Sequence, residues 1–174
     1  MEEQLCEIFQ SVPSVAPETR EDFLTRVEKG NVLRSDDPVS HFCVFFVPFI
    51  PPSKKVFLGH HTKANAWIAP GGHIESEHAS PVETVIQEAR EELGVEVDPK
   101  QVSKPFYLSA VDVFAPNRAC RRHYSIWYVV HFDHEEKFTI EEREFYDTKW
   151  LSLPEAKKIT NQENRDALTV LESL

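Results

Sequence analysis

The sequence predicts an α/β protein in which helices pack on a mixed sheet. Two observations support this fold class. Strand patterns and helical patterns follow one another from about residue 40 onward, and no repeat, low-complexity linker or change of composition divides them. The length of 174 residues is close to that of one domain with a sizeable core. We therefore expect one α/β domain that is preceded by a short additional segment.

The first forty residues have a helical pattern with polar faces. Pro17 and the acidic residues after it are typical of a helix start, and Gly30 is typical of a helix end. We predict an N-terminal helical segment over residues 1–37, packed on the core, and a main domain over residues 38–174.

Strand and helix patterns alternate within the main domain. The predicted strands cover residues 41–50, 54–61, 67–69, 107–114, 123–132 and 148–152. The predicted helices cover residues 81–93, 153–159 and 161–174. An acidic loop is predicted between the last two strands, over residues 133–145.

The composition limits the classes of partner and the location. A formal net charge of -10 and a pI near 5.3 argue against an extended nucleic-acid surface, but they are compatible with one bound nucleotide. Cys6, Cys43 and Cys120 are odd in number and widely spaced, so we expect free thiols rather than a disulfide framework or a CxxC zinc site. No signal-peptide pattern or membrane-length apolar stretch is present. We expect a cytoplasmic protein that does not bind membranes.

The predicted helix over residues 81–93 carries three glutamates close together, Glu88, Glu91 and Glu92. At these spacings like charges repel, and the glutamates lie near the negative end of the helix dipole. A solvated helix face is the ordinary explanation of such a cluster, but a divalent cation would reverse the unfavourable charge. Gly71 and Gly72 add a place before the helix where the backbone can approach a ligand closely.

The segment from Trp67 to Val95 resembles the Nudix box. Gly72 stands at the glycine that opens this motif, and residues 88–95 match the run of glutamates, aliphatic residues and glycine that closes it. The resemblance implies the Nudix-type α/β/α sandwich with a mixed central sheet. It also implies a metal-dependent hydrolase that cleaves a pyrophosphate linkage in a nucleoside diphosphate derivative or a related nucleotide.

The same resemblance implies how the cofactor is bound. The expected cofactor is Mg²⁺, with Mn²⁺ as a substitute, and the expected ligands are the Gly72 carbonyl oxygen, Glu88, Glu91 and Glu92. The cation would neutralise the diphosphate oxygens and lower the pKa of a water molecule.

Two departures from the family pattern bear on activity. Gln87 stands where the family has Arg, and one extra residue separates Gly72 from Gly94. His78 consequently occupies a position where the motif has Glu. The neighbouring Glu77 could take the role of that glutamate instead. Because a neutral Gln constrains the glutamates less, the alternative is a Nudix-fold nucleotide-binding or regulatory domain with little or no turnover.

The sequence leaves the general base open. Glu91 of the box is one candidate, and the acidic loop offers Glu144 and Glu142, with Glu141 as a third. Glu142 and Glu144 would point the same way if the last strand began early, so we rank Glu144 first and Glu142 second. A solvated acidic loop is the competing interpretation.

Candidate substrate-binding residues lie outside the box. His60, His61 and Lys63 lie on the segment that leads into the box, and we select His60 and Lys63 as phosphate contacts. Arg118 and Arg122 belong to a basic cluster that could bind phosphates bidentately. Surface residues and charge compensation are the ordinary explanations for both groups.

His123 is the last candidate substrate contact. Similar Nudix proteins carry a His-x-His-x-Asp run at this place, but here Ser125 and Trp127 replace the second His and the Asp. That replacement argues against a second metal site along this strand. The expected partner is a small nucleotide or diphosphate compound, and the nearby aromatic residues are compatible with either core packing or a homodimer contact.

Overall fold

A seven-stranded mixed sheet with helices on both faces forms the centre of the protein, and the computed structural model describes residues 1–13, 15–113 and 119–174. The strands are β1 (Ser40–Ile50), β2 (Lys55–His61), β3 (Ala66–Ile68), β4 (Gly71–His73), β5 (Tyr107–Asp112), β6 (Arg122–His131) and β7 (Phe145–Ser152). The helices are α1 (Glu2–Ser11), α2 (Pro17–Glu28), α3 (Pro81–Leu93), α4 (Leu153–Ile159) and α5 (Gln162–Glu172).

Strand β1 is the central strand of the sheet. It pairs in parallel with β6 from Ser40 to Phe49. On its other edge it pairs antiparallel with β4 from Cys43 to Phe45, and with β2 only at Phe49 and Ile50. The strand order is β3-β2-β1-β6-β5, with β7 beside β2. Because β4 and β2 share the edge of β1 that lies opposite β6, the short glycine strand β4 lies against the middle of the sheet.

Both faces of β1 are covered, which explains why nearly every residue of this strand is apolar. On one face Phe42, Val44 and Phe46 belong to the same buried core as residues of α1, α2 and α3. On the other face Val47 packs with Trp127 and with residues of α4 and α5. The predicted α/β/α sandwich with a mixed sheet is confirmed.

The N-terminal segment forms two helices that contribute to the main core. Phe9 and Phe23 are fully buried, and the Phe9 ring stacks on Phe42 with centroids 5.3 Å apart. Phe23 contacts Phe9 edge to face at 4.9 Å. The two helices therefore share one apolar core with the sheet. The domain boundary at residue 37 stays a prediction.

Some elements differ from the prediction. Strand β4 was not predicted, because glycine has low strand propensity and only the pairing with β1 gives this segment its conformation. A short 3-10 helix at Pro99–Gln101 was also missed, and β7 begins at Phe145 rather than at residue 148. Strand β5 ends at Asp112, and residue 114 lies outside the described residues. Over the described ranges, no helix combines the length and the hydropathy needed to cross a membrane.

Candidate active site

Helix α3 has the predicted boundaries, and local interactions fix both ends. The Ser80 hydroxyl accepts a hydrogen bond from the Glu83 N–H at 3.2 Å, which caps the start. Gly94 ends the helix in the left-handed conformation with φ 63°, which glycine adopts without steric cost. The last two turns carry the helix glutamates, a name used here for Glu88, Glu91 and Glu92.

Glu92 is almost fully buried, with 6% of its surface exposed. Its Oε2 atom accepts a hydrogen bond from the Gly71 N–H at 3.0 Å, which connects the end of α3 to β4. Burial raises the pKa of Glu92 well above its ordinary value, the charge of Glu88 adds to this effect, and the Gly71 hydrogen bond opposes it. A carboxylate in this environment favours either a proton or a bound cation.

Glu88 lies directly against Gly72. A Cβ atom added to Gly72 would be 1.7 Å from the Glu88 Oε1 atom, so glycine leaves the room that this carboxylate occupies. Burial raises the pKa of Glu88 to about 7, and the charges of Glu91, Glu144 and Glu75 act in the same direction. This concentration of half-buried carboxylates fits a hard divalent cation such as Mg²⁺.

Glu91 differs from the other two helix glutamates because it is exposed. The Gln87 amide donates a hydrogen bond to the Glu91 Oε1 atom at 2.5 Å, and the Gln87 Oε1 atom accepts one from Arg90 at 2.9 Å. Arg90 also forms an ion pair with Glu96 at 2.7 Å. Gln87 therefore orients Glu91 through a neutral hydrogen bond, at the position where the family pattern has a charged Arg.

The acidic loop packs on the end of α3. The backbone N–H groups of Thr139 and Glu141 donate to the carbonyl oxygens of Leu93 and Glu92, both at 3.0 Å. Glu144 follows in this loop, and its charge raises the pKa of both buried helix glutamates. The structure therefore brings the loop candidate Glu144 close to the helix glutamates.

Two basic residues hold Glu144: His61, the last residue of β2, and Lys63, two positions later. Lys63 Nζ lies 2.5 Å from Glu144 Oε1, and His61 Nε2 lies 3.3 Å from Glu144 Oε2. The His61 Nδ1 atom accepts hydrogen bonds from the N–H groups of Lys63 and Ala64, both at 3.1 Å. In the neutral ring the proton is therefore on Nε2, the atom that faces Glu144 Oε2. His61 makes this contact, whereas the selection of His60 as a phosphate contact stays a prediction.

The reasoning that linked Glu142 to Glu144 is wrong. Residues 142–144 form a turn, because β7 begins only at Phe145, so the two side chains do not alternate along a strand. Glu142 is exposed, whereas the Glu144 side chain pairs with Lys63 and His61. A turn of this kind is decided by the docking of the loop on α3, which the local sequence does not reveal.

The turn before α3 contains the extra residue of the box. His78 Nδ1 accepts a hydrogen bond from the Glu75 N–H at 3.2 Å and lies 3.0 Å from the Thr84 hydroxyl oxygen. Glu77, considered for the missing motif glutamate, is exposed. Glu75 is the acidic residue of this turn whose charge acts on Glu88, and the sequence reasoning missed it.

His60 lies beside aromatic rings. It stacks on Trp67 with centroids 5.3 Å apart and planes 16° apart, and the Tyr146 ring is 5.6 Å away. Lys149 Nζ lies 4.5 Å from the centroid of the same Trp67 ring. This group is a separate aromatic surface on β2, β3 and β7.

Arg122 is engaged by carboxylates at another part of the sheet. Its guanidinium pairs with Asp112 at 2.7 Å and Asp22 at 2.8 Å, and these hydrogen bonds raise its pKa. The pairing register places Arg122 about four residues, or about 13 Å, along β1 from the position opposite Gly72. Arg118, the other predicted basic contact, lies outside the described residues.

His123 lies in a cluster with His41, Cys43 and His73. Burial lowers the pKa of His73 to about 3, with His41 and His123 adding to the effect, so its ring is neutral. Burial also lowers the pKa of His41 and raises that of Cys43 well above its ordinary value. The four residues come from three strands, so spacing along any one strand could not identify the cluster.

The model of the NUDIX domain family matches residues 40–171. No curated protein matches the chain. Among solved structures, the E. coli dihydroneopterin triphosphate pyrophosphohydrolase is similar with a TM-score of 0.62 and 21% identity, covering 73% of this chain and 91% of that chain. The NUDIX domain of Shewanella oneidensis NrtR in complex with ADP ribose has a TM-score of 0.61 and 16% identity, covering 76% and 86%.

A NUDIX family hydrolase from Clostridium perfringens is 26% identical, with a TM-score of 0.53 and coverage of 75% of this chain and 97% of that chain. The α/β/α sandwich, the box on α3 and the match over residues 40–171 agree with one another. The chain belongs to the Nudix hydrolase family, as the box predicted.

Proposed function

We propose that the protein is a Mg²⁺-dependent pyrophosphohydrolase that cleaves a pyrophosphate linkage in a nucleoside diphosphate derivative or a related nucleotide, with Mn²⁺ as a substitute metal. The observation that carries the proposal is the position of Glu88 and Glu92. Both carboxylates are largely buried against the Gly71–Gly72 backbone, and both have raised pKa values. Burying two ionised carboxylates side by side is unfavourable, and a bound cation offsets this cost without requiring that they take up protons.

The helix glutamates and the Gly72 carbonyl oxygen would hold the cation. These are hard oxygen donors, which Mg²⁺ and Mn²⁺ prefer. When bound, Mg²⁺ neutralises diphosphate oxygens and lowers the pKa of water. The exposed position of Glu91 leaves the substrate side of the site open, whereas Glu92 is enclosed by β4.

Glu144 is our preferred general base. Its carboxylate is held in place by His61 and Lys63, and its charge acts on the buried helix glutamates. In the proposed reaction a water oxygen attacks phosphorus, the bond to the bridging oxygen breaks, and Glu144 accepts the proton of the water. The half-exposed Lys63 is suited to bind a substrate phosphate. Glu142 and Glu91 stay the alternative bases.

The remaining predicted contacts, His60, Arg118, Arg122 and His123, stay predictions, as do a homodimer and a cytoplasmic location. The substrate class is supported by the family and by what its structural neighbours act on or contain. One of those neighbours acts on dihydroneopterin triphosphate and another is in complex with ADP ribose. A pyrophosphate linkage is common to both compounds.

The test is a substrate panel assayed with Mg²⁺ and with Mn²⁺, with products identified by mass spectrometry. Sugar nucleotides, ADP ribose, nucleoside triphosphates and dihydroneopterin triphosphate would be included. The wild type should release a phosphate-containing product from at least one compound, and Glu92→Gln should lower turnover by at least about a hundredfold. Glu96→Gln is the matched control, because Glu96 pairs with Arg90 in an exposed position, and it should retain turnover.

A nucleotide-binding or regulatory domain with little turnover is the second candidate function. The replacement of the motif Arg by Gln87 favours it, because Glu91 then has a neutral partner. Stoichiometric binding of a nucleotide without product release, in Mg²⁺ and Mn²⁺ alike, would select this function over hydrolysis.

A further inference from the structure

We propose that His41, Cys43, His73 and His123 form a second metal site that binds one Zn²⁺ ion separately from the helix glutamates. Each residue offers one ligand atom, and these atoms all lie within 4.8 Å of one another. Three imidazoles and one thiol are thus gathered at one place in the sheet. The roles proposed for the helix glutamates, Glu144 and Lys63 use none of these side chains, and His123 alone is also a predicted substrate contact.

The pairing register of the sheet creates the cluster. His41 and Cys43 are two residues apart on β1, so both project from the same face. His41 is opposite His123 on β6, and Cys43 is opposite His73 on β4. The ring centroids of the three histidines are 4.8 to 5.4 Å apart. Three hydrogen-bonded strands therefore hold the donors together without a flexible loop.

His41 is oriented for metal binding by a backbone group. Its Nδ1 atom lies 2.9 Å from the carbonyl oxygen of Asp37, which can only accept a hydrogen bond. The ring proton is therefore on Nδ1, and Nε2, which the Cys120 sulfur approaches at 3.9 Å, presents the lone pair that a metal would bind. A carbonyl that fixes the tautomer in this way is a common second partner of metal-binding histidines.

The donor set selects the kind of metal. Imidazole and thiolate are ligands of Zn²⁺ and similar transition metals, whereas Mg²⁺ requires oxygen ligands. In a tetrahedral Zn²⁺ site, with bonds of about 2.0–2.1 Å to nitrogen and about 2.3 Å to sulfur, neighbouring ligand atoms are about 3.3–3.6 Å apart. Small side-chain rotations would bring the four atoms from within 4.8 Å to these separations.

The burial of the cluster suits a structural site with four protein ligands. His41 and Cys43 are 1% and 3% exposed, while His73 and His123 are half-buried. On binding, the Cys43 thiol loses its proton to solvent and the sulfur binds as thiolate, while the imidazoles bind through lone pairs. The metal keeps its oxidation state, so no further reactant is required.

A Zn²⁺ ion at this place would join β1, β4 and β6. His73 directly follows Gly72, so the ion would fix the strand whose backbone lies against Glu88 and Glu92. The role we infer is therefore to hold β4 in position beside α3. This role does not depend on whether the helix glutamates bind Mg²⁺ or whether the protein turns over a nucleotide.

The experiment uses the untagged full-length protein, stripped with a chelator and titrated with Co²⁺ and then with Zn²⁺. A thiolate-to-Co²⁺ charge-transfer band should appear and saturate at one equivalent, and Zn²⁺ should displace it. Cys43→Ala should abolish the band. His123→Asn should weaken Co²⁺ binding by at least about tenfold, because even residues that only support a metal ligand typically cost that much affinity when replaced. Circular dichroism of each variant establishes that the chain is folded.

Matched variants separate this site from other ligands. Cys6→Ser, in α1, should keep the band, and Cys120→Ser should also keep it, although Cys120 Sγ lies 3.9 Å from His41 Nε2. The double variant Glu88→Gln, Glu92→Gln should keep the band and lose any Mg²⁺-dependent stabilisation. A failure of the zinc site is thereby distinguished from a failure of the proposed hydrolase site.

Three results would overturn the proposal. One is a wild type without a thiolate band at one equivalent of Co²⁺. Another is a folded Cys43→Ala variant that retains the band. The third is loss of the band in Cys120→Ser alone, which would assign the thiolate to a different residue. If Cys43→Ala does not fold, the Co²⁺ affinity of His123→Asn decides the question, and an unchanged affinity refutes the site.

Discussion

Glu88 and Glu92 differ from Glu91 in their surroundings, although all three occupy the same two turns of α3. Glu92 is enclosed and bonded to Gly71, Glu88 fills the space beside Gly72, and Glu91 is exposed with Gln87 as its partner. Their chemical roles should differ accordingly. The two buried carboxylates are suited to permanent metal ligation, and the exposed one is more easily rearranged when a substrate binds.

The base can be identified with two isosteric substitutions in one turn. Glu144→Gln should lower kcat by about 10²–10⁴-fold with little change in KM or metal affinity. The reason is that Glu144 would accept the water proton only in the transition state, so its loss does not affect substrate binding. Gln keeps an oxygen that can accept the hydrogen bond from Lys63, so the loop should stay in place. Steady-state kinetics with the best substrate of the panel provides the measurement.

Glu142→Gln is the matched control, since Glu142 is exposed two positions earlier. It should leave kcat within about threefold of the wild type. If both variants stay within that range, the loop does not supply the base, and Glu91 becomes the leading candidate.

Strand β4 has two glycines with different neighbours, although they are adjacent in sequence. A Cβ atom at Gly71 would lie 2.2 Å from the Val44 carbonyl oxygen and 2.9 Å from the Phe45 Cα atom, which are backbone atoms of β1. A Cβ atom at Gly72 would instead meet the end of the Glu88 side chain. Gly71 is therefore required by sheet pairing, and Gly72 by the position of a candidate metal ligand.

Alanine substitutions should separate these two requirements. Gly72→Ala should fold with nearly unchanged Tm, because Glu88 can swing away, and should lose at least about tenfold in Mg²⁺ affinity. Gly71→Ala should lower the free energy of unfolding by about 1–3 kcal/mol, because backbone atoms of β1 must shift. Thermal melts and Mg²⁺ titrations measure the two effects. A Gly72→Ala variant with wild-type Mg²⁺ affinity would argue against Glu88 as a ligand.

The whole molecule depends on α1 and α2 for one layer of its core. Phe23 contacts Phe9, Phe42 and Tyr124 with ring centroids 4.9 to 5.9 Å apart, so it joins the N-terminal helices to β1 and β6. The segment over residues 1–37 is therefore expected to be needed for stability, even though the family match begins only at residue 40.

Phe23→Ala should lower the free energy of unfolding by about 3–5 kcal/mol, because it removes a fully buried aromatic ring. Denaturant unfolding followed by circular dichroism measures this loss. Tyr146→Ala is the control, since this aromatic residue is 67% exposed, and it should change stability by no more than about 0.5 kcal/mol. Equal losses for the two variants would show that the N-terminal helices contribute little.

The contribution of Glu88 to the stability of the metal-free protein should fall as pH rises from about 4.5 to about 7. It is isolated by comparing the wild type with Glu88→Gln, because the buried, neutral His73 acts in the opposite direction over part of this range. Glu88 has a folded pKa of about 7 against an ordinary 4.5, so the folded state binds more protons than the unfolded state in this range. The corresponding loss for one such group is at most about 3 kcal/mol. Thermal melts across this range, with and without Mg²⁺, provide the measurement.

Mg²⁺ should raise Tm more at about pH 8 than at about pH 5, because a ligand that binds the ionised folded state stabilises it by mass action. Without Mg²⁺, the stability of the wild type relative to Glu88→Gln should therefore fall over this pH range. A wild type whose Tm does not respond to millimolar Mg²⁺ at either pH would count against the metal site.

The sequence by itself determined the family, the fold class and the helix that carries the glutamates. These features are local: α3 is marked by Ser80, an apolar stripe and Gly94, and the box lies in one continuous segment. The continuous apolar run of β1 likewise indicated a strand that is buried on both faces. Short-range patterns suffice for such features because their physical causes act within a few residues.

Only the tertiary structure decided which side chains meet. The contact of His61 with Glu144 joins residues 83 positions apart, and the cluster of His41, Cys43, His73 and His123 depends on the register of three strands. Register is set by the packing of whole strands, and a shift of one residue would turn each of these side chains to the other face. Strand β4 has no strand pattern of its own, so its place against β1, and with it the candidate metal ligands of α3, follows from long-range pairing alone.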